Sequence, residues 1–99
     1  EEYLINRVET LAKKYGFEYN KLKFKVMKTR WGSGTTKNNI NLNMLITYLP
    51  KKLQDYVILH ELVHTRIKDH SHRFWALLDK ITGDAKGIHK ELKEKYILI

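Results

Sequence analysis

The chain has no cysteine. Disulfides therefore contribute nothing to its stability, and any metal it holds must be bound by nitrogen and oxygen ligands. No apolar run approaches the roughly 20 residues that a membrane-spanning helix needs, and no signal-peptide pattern opens the sequence. Those absences point away from a membrane partner and make a cytoplasmic location the expectation. Proline occurs once, as Pro50, and no linker, internal repeat or low-complexity tract divides the chain. Acidic residues are scarce: 11 against 19 lysines and arginines, a formal charge of +8. Such a balance admits acidic partners, nucleic acid among them, through a basic surface. No dense basic run concentrates the charge, however, and lysines dispersed in this way also keep a small domain soluble.

What remains suits one globular domain. Ninety-nine residues are enough for one modest core and too few for two. Leu4, Val8, Leu11, Ala12 and Tyr15 recur at helical spacing, with Gly16 where a C-cap would sit, and predict a helix over residues 2–15. Leu22, Phe24 and Val26 alternate with Lys21, Lys23 and Lys25, the pattern of a half-buried strand. A polar, glycine-containing loop follows from Thr29 to Asn38. Ile40 and Leu42 then alternate with Asn39, Asn41 and Asn43, a short strand whose outward asparagines suit a sheet edge. Pro50 ends the extended segment and opens a helix through Leu53, Tyr56, Val57, His60, Glu61, His64 and Ile67. Ser71 caps a further helix that Gly83 stops near Thr82, and Ile88, Leu92 and Tyr96 mark a last one. One helix, two strands and then helices make an α+β domain, a small sheet packed against helices.

Chemistry concentrates in His60-Glu61-Leu62-Val63-His64. Residues four apart on a helix lie one above the other, so His60 and His64 aim two imidazoles at one point. Glu61 stands about 100° around the helix from His60, bordering that point without being forced to bind there. Two ligands and a neighbouring carboxylate form a device for activating water on a metal ion, zinc by preference. With five His and seven Glu in the chain, a shuffled sequence would contain this pattern at a frequency of only roughly 0.02. Burying these polar groups beside Val57 and Val63 with no ligand would also be costly.

A catalytic zinc needs a third protein ligand and an open fourth position. His70 and His72 are the nearest candidates, with Asp69 behind them. His70 follows His64 by six residues, as in the metzincin pattern, but Ile67 replaces that pattern's turn glycine, and both methionines, Met27 and Met44, lie upstream. A glutamate ligand from a downstream helix, Glu91 or Glu94, is the other arrangement that spacing allows. Phe74 and Trp75 read as core, His89 as a solvated residue in a lysine-rich helix. Arg30 and Trp31 either stack on a ligand or close a hairpin.

Several segments together resemble the YgjP-like metallopeptidase domain, a family related to the SprT-like and WLM zinc peptidases. They are Arg30-Trp31-Gly32-Ser33, Asn39-Ile40-Asn41-Leu42-Asn43, Pro50, Tyr56-Val57, the His60–His64 motif, and His70-Ser71 followed by Phe74-Trp75. The resemblance covers about residues 25 to 78. It implies a zincin-like fold with a small antiparallel sheet, and one zinc ion bound by His60, His64 and His70. It also implies Glu61 as general base and a peptide or protein as substrate. His72 falls where the family pattern is open, a candidate for supporting the ligands. Family members usually carry sequence ahead of this domain, so the expectation is that residues 1–99 form a single domain from the C-terminal part of a longer protein. Two departures stand out: Gly34 where the family commonly has cysteine, and Thr82-Gly83-Asp84-Ala85 in place of a Pro-Asp-Tyr segment.

The first expectation is thus zinc-dependent hydrolysis of peptide bonds, with an extended substrate pairing along the strand of Ile40 and Leu42. Arg73, His72 and Tyr48 are candidates for the group facing the oxyanion. The alternative is a nucleic-acid-associated module in which the zinc is structural.

Overall fold

A computed structural model describes residues 2–96. The elements follow in the order α1 (Glu2–Tyr15), β1 (Leu22–Lys25), β2 (Gly32–Gly34), β3 (Ile40–Asn43), a 3-10 helix (Met44–Tyr48), α2 (Lys51–His64), α3 (His72–Thr82) and α4 (Ala85–Lys95). The architecture is α+β, with a three-stranded sheet in the order β1-β3-β2.

The sheet is mixed, not antiparallel. β3 pairs parallel with β1, Leu22 opposite Ile40, and antiparallel with β2, Gly32 opposite Leu42. The reason lies in residues 26–31, which carry the chain past the central position to the far edge. β2 occupies that edge, and β3 returns between the two. Asn43 fixes this crossover. Its side chain is fully buried, and its Nδ2 donates to the carbonyls of Met27 and Arg30, both at 2.8 Å. Its backbone N–H reaches the Trp31 carbonyl at 2.9 Å. A buried amide needs all its partners, and here each partner belongs to the crossover or to the turn that follows. The asparagine alternation thus belongs to the central strand, and a substrate has no free edge of β3 to join. The free edge facing the cleft is that of β2, a strand inside the segment expected to be loop.

Turn chemistry explains the β2–β3 connection. Thr35 Oγ1 accepts from the Lys37 and Asn39 N–H groups, each at 3.2 Å, and Asn38 takes φ 62°, a left-handed conformation that asparagine tolerates.

α2 is the central element. Leu53, Tyr56, Val57, Ile58, Leu59, Leu62 and Val63 are all buried on it, so it is apolar almost all round, as suits a helix enclosed by neighbours. Leu4, Val8 and Leu11 of α1, Ile40 and Leu42 of β3, Phe74 and Leu78 of α3, and Ile88 and Leu92 of α4 complete the core. Arg7 ties α1 to α2 through a two-pronged ion pair with Asp55, at 2.8 and 2.6 Å. α2 ends at His64, one turn before the expected Ile67. Thr65 Oγ1 donates to the Leu62 carbonyl at 2.6 Å, and the His64 ring takes the Ile67 carbonyl. These contacts fold the chain back on itself. α3 starts after Ser71 and ends at Gly83, whose φ of 89° is the left-handed C-cap expected of it. Asp84 caps α4 by accepting from the Gly87 N–H. Among the described residues, no helix is long and apolar enough to cross a membrane.

Candidate metal centre

His60 and His64 project from the last turns of α2, one above the other, and the reversal after His64 brings His70 back to meet them. His70 Nε2 lies 3.1 Å from His64 Nε2 and 3.3 Å from His60 Nε2. Among the described residues, these three form the group able to hold a metal ion, their ligand atoms all within 4.8 Å of one another. His64 Nδ1 is 2.8 Å from the Ile67 carbonyl oxygen, which only accepts. The ring proton therefore sits on Nδ1, leaving a lone pair on Nε2. In the tautomer that leaves His70 Nε2 unprotonated, its lone pair faces that of His64, the arrangement that a cation between them satisfies. A tetrahedral ion with nitrogen ligands at about 2.0–2.1 Å needs those nitrogens roughly 3.3 Å apart. The donor set and its spacing fit such an ion.

Electrostatics favours the neutral, ligating form. Burial pushes His60 down to about 3, and the neighbouring His64, His70 and His89 push in the same direction. Burial also lowers His64, against the opposing effect of its bond to Ile67. Phe74, fully buried, is the floor of the group: its ring stacks on His64 at 4.3 Å between centroids and meets His60 and His70 edge-on. Phe74 is thus core, as expected, and it orients the histidines as well. Trp75 is half-buried, with Lys86 Nζ 5.7 Å from its ring centroid.

Glu61 is buried, with 6% of its surface exposed, and lies flush against β2. A Cβ at Gly32 would sit 3.0 Å from Glu61 Cγ and 3.1 Å from its Oε2. Only glycine lets the strand approach this closely. Burial pushes the Glu61 carboxyl up to about 7, while the positive charge of Arg30 pulls the other way.

These groups line a cleft of about 500 Å³. Its other walls are polar: Ser33, Thr35 and Asn39 on the sheet side, Thr65 and Lys68 on the helix side, Arg30 at the rim. Lys68 closes one end by donating to the Thr35 carbonyl and to Asn38 Oδ1. His72, Arg73 and Tyr48, the expected oxyanion candidates, are exposed and do not line this cleft. Glu91 is engaged elsewhere, 3.9 Å from Lys52 Nζ, and Glu94 lines a separate groove with Trp75.

His89 is not the solvated residue that its lysine-rich surroundings suggest. It is half-buried, its Nδ1 is 2.9 Å from the Tyr56 hydroxyl, and its ring lies nearly parallel to that of His60. The helical period alone carried the clue, since Ile88 and Leu92 turn that flank of α4 inward.

The model of the YgjP-like metallopeptidase domain matches residues 1–95. The chain belongs to this family. It is accordingly a metal-dependent peptidase. Among solved structures it resembles the metallopeptidase zymogen of Methanocaldococcus jannaschii jannalysin, with TM-score 0.78 and 24% identity over 95% of this chain and 97% of that one. It also resembles the metallopeptidase zymogen of Pyrococcus abyssi abylysin, with TM-score 0.76 and 22% identity over 97% of this chain and 99% of that one. At these identities the likeness establishes a shared fold. No curated protein matches the chain. Set against the family, the Gly34 departure falls on β2, where a Cβ would lie 3.6 Å from Glu61 Oε1, at ordinary van der Waals distance.

Proposed function

We propose that this YgjP-like domain cleaves peptide bonds with one zinc ion held by His60, His64 and His70, and with Glu61 as general base. The observation that carries the reading is the convergence of three imidazole Nε2 atoms at the mouth of a cleft that also contains a buried carboxylate. All-nitrogen ligation suits zinc, and an open side toward the cleft suits a catalytic site better than a closed structural one. A zinc ion bound there supplies Lewis acidity, polarising a substrate carbonyl and acidifying water.

The remaining chemistry belongs to the chain. Glu61, buried at the inner wall of the cleft beside His60, is the carboxylate placed to handle protons there. Its carboxylate takes a proton from the attacking water and its carboxyl returns one to the departing amine nitrogen. Gly32 leaves room for the carboxylate to lie against the strand, beside the substrate backbone. An extended peptide adds to the free edge of β2, its main chain hydrogen-bonding with residues 32–34.

The test compares wild type with Glu61→Gln for zinc content and for cleavage of a denatured protein substrate. The expected result is equal zinc and loss of turnover by roughly 100-fold or more, the scale of a general base. Unchanged turnover in the glutamine variant defeats the assignment.

A further inference from the structure

A second cavity, of about 180 Å³, adjoins the cleft and shares Arg30, Gly32, His60 and Glu61 with it as walls. Its character is different. Where the cleft presents hydroxyls and amides, the smaller cavity is faced with carbon from Trp31, from Val57 of α2 and from Leu92 of α4. Its one buried hydroxyl, that of Tyr56, is already bonded to His89 Nδ1 at 2.9 Å. Polar groups do line it, at Arg30, His60, Glu61 and His89, but most of its surface is carbon, so an apolar group entering gains by burial. Size narrows the occupant: an apolar cavity of about 150 Å³ is known to accept benzene.

Resting on the peptidase reading above, we infer that this cavity is a specificity pocket, taking a leucine- to phenylalanine-sized apolar side chain from a residue flanking the cleaved bond. His60 and Glu61 are walls of both spaces, so a substrate whose backbone lies in the cleft can place a side chain in the pocket beside the reacting carbonyl. Val57 and Leu92 set the depth of the pocket, and the Tyr56–His89 bond holds α4 against α2 as its wall. Arg30, exposed at the rim, supplies the competing expectation of an acidic residue.

The zinc-loaded full chain is incubated with a mixed peptide library, and the residues on both sides of every cut are read by mass spectrometry. At one of the two flanking positions Leu, Ile, Met and Phe are expected to exceed Ala and Gly by roughly 10- to 100-fold in kcat/KM. Val57→Leu, which fills the pocket, is expected to shift the preference toward Ala. Leu92→Ala, which deepens it, shifts the preference toward Phe and Trp. Circular dichroism checks the fold of both variants, and if neither folds the wild-type profile alone decides. Cleavage with no preference at either position, or with a preference for Asp or Glu, overturns the pocket and leaves the peptidase standing. Zinc-loaded protein that cuts no peptide overturns the peptidase reading, and the pocket with it.

Discussion

His64 and His70 meet with their Nε2 atoms 3.1 Å apart, because the His64 ring itself holds the chain reversal that returns His70. The same imidazole bonds the Ile67 carbonyl through Nδ1 and turns Nε2 toward His70. One side chain thus sets both its own ring orientation and the position of its partner, and a backbone carbonyl on Nδ1 leaves Nε2 in the form that can bind a metal.

His70→Ala is therefore expected to weaken zinc binding by roughly 100-fold or more, above the 10- to 100-fold typical of losing only a supporting contact. His72→Ala, two residues on and exposed, is expected to change affinity by less than about threefold, which sets it apart from such a supporting contact. Competition with a chromophoric chelator measures both. Equal losses from the two substitutions would remove His70 from the ligand set.

Gly32 carries a second prediction. In Gly32→Ala the new methyl would lie 3.0 Å from Glu61 Cγ, so strand and carboxylate must part by a few tenths of an ångström. A misplacement of about 1 Å costs on the order of 100-fold in rate, so a loss of roughly 10-fold in kcat is expected, with zinc content unchanged. Kinetics beside metal analysis checks it. A rate equal to wild type would mean that the carboxylate can move freely without penalty.

What sequence periodicity conveyed and what it did not follow the range of the interactions involved. His60, Glu61 and His64 share one helix face, so local spacing sufficed to group them. Gly83 and Asp84, which end α3 and cap α4, act through backbone geometry within a few residues, and Gly83 was legible as a stop for that reason. The parallel pairing of β1 with β3 depends on Asn43 gripping carbonyls 13 and 16 residues away, which no alternation pattern encodes. An asparagine opposite an apolar strand face reads as solvent-facing, and here the crossover loop covers it. Likewise Gly32-Ser33-Gly34 is a poor strand by composition. It is a strand because it pairs with β3, Gly32 opposite Leu42 and Gly34 opposite Ile40, and at Gly32 the missing side chain leaves room for Glu61. His89 looked solvated among lysines, and only the packing of α4 against α2 brings it to Tyr56.

The crossover itself can be tested. Asn43→Ala leaves the Met27 and Arg30 carbonyls and the Leu45 N–H without the partners they have now. Each buried polar group so orphaned costs about 1–3 kcal/mol, and partial access of water to the loop reduces the sum. A loss of about 2–4 kcal/mol is expected, read as a shift in the urea midpoint at constant slope. A change below about 0.5 kcal/mol, the usual effect of a surface substitution, would mean that the asparagine does not hold the crossover.

The buried site also sets opposing pH dependences in the metal-free protein. His60 falls from 6.5 in the free side chain to about 3 in the fold, so the folded state binds fewer protons. Its contribution is present above about pH 6.5 and is lost as the pH falls toward 3. Glu61 rises from 4.5 to about 7, so its contribution is present below about pH 4.5 and is lost as the pH rises through 7. Glu61→Gln removes the second effect without restoring any charge. The metal-free glutamine variant is therefore expected to exceed wild type in stability by on the order of 1–3 kcal/mol at pH 8, and to lose that advantage near pH 4.5. His60→Phe should flatten the acid side of the same curve between pH 6.5 and 5. Urea unfolding of the chelator-treated proteins across pH 4.5 to 8 measures both slopes. A glutamine variant no more stable than wild type at pH 8 would show that the fold does not work against the Glu61 charge.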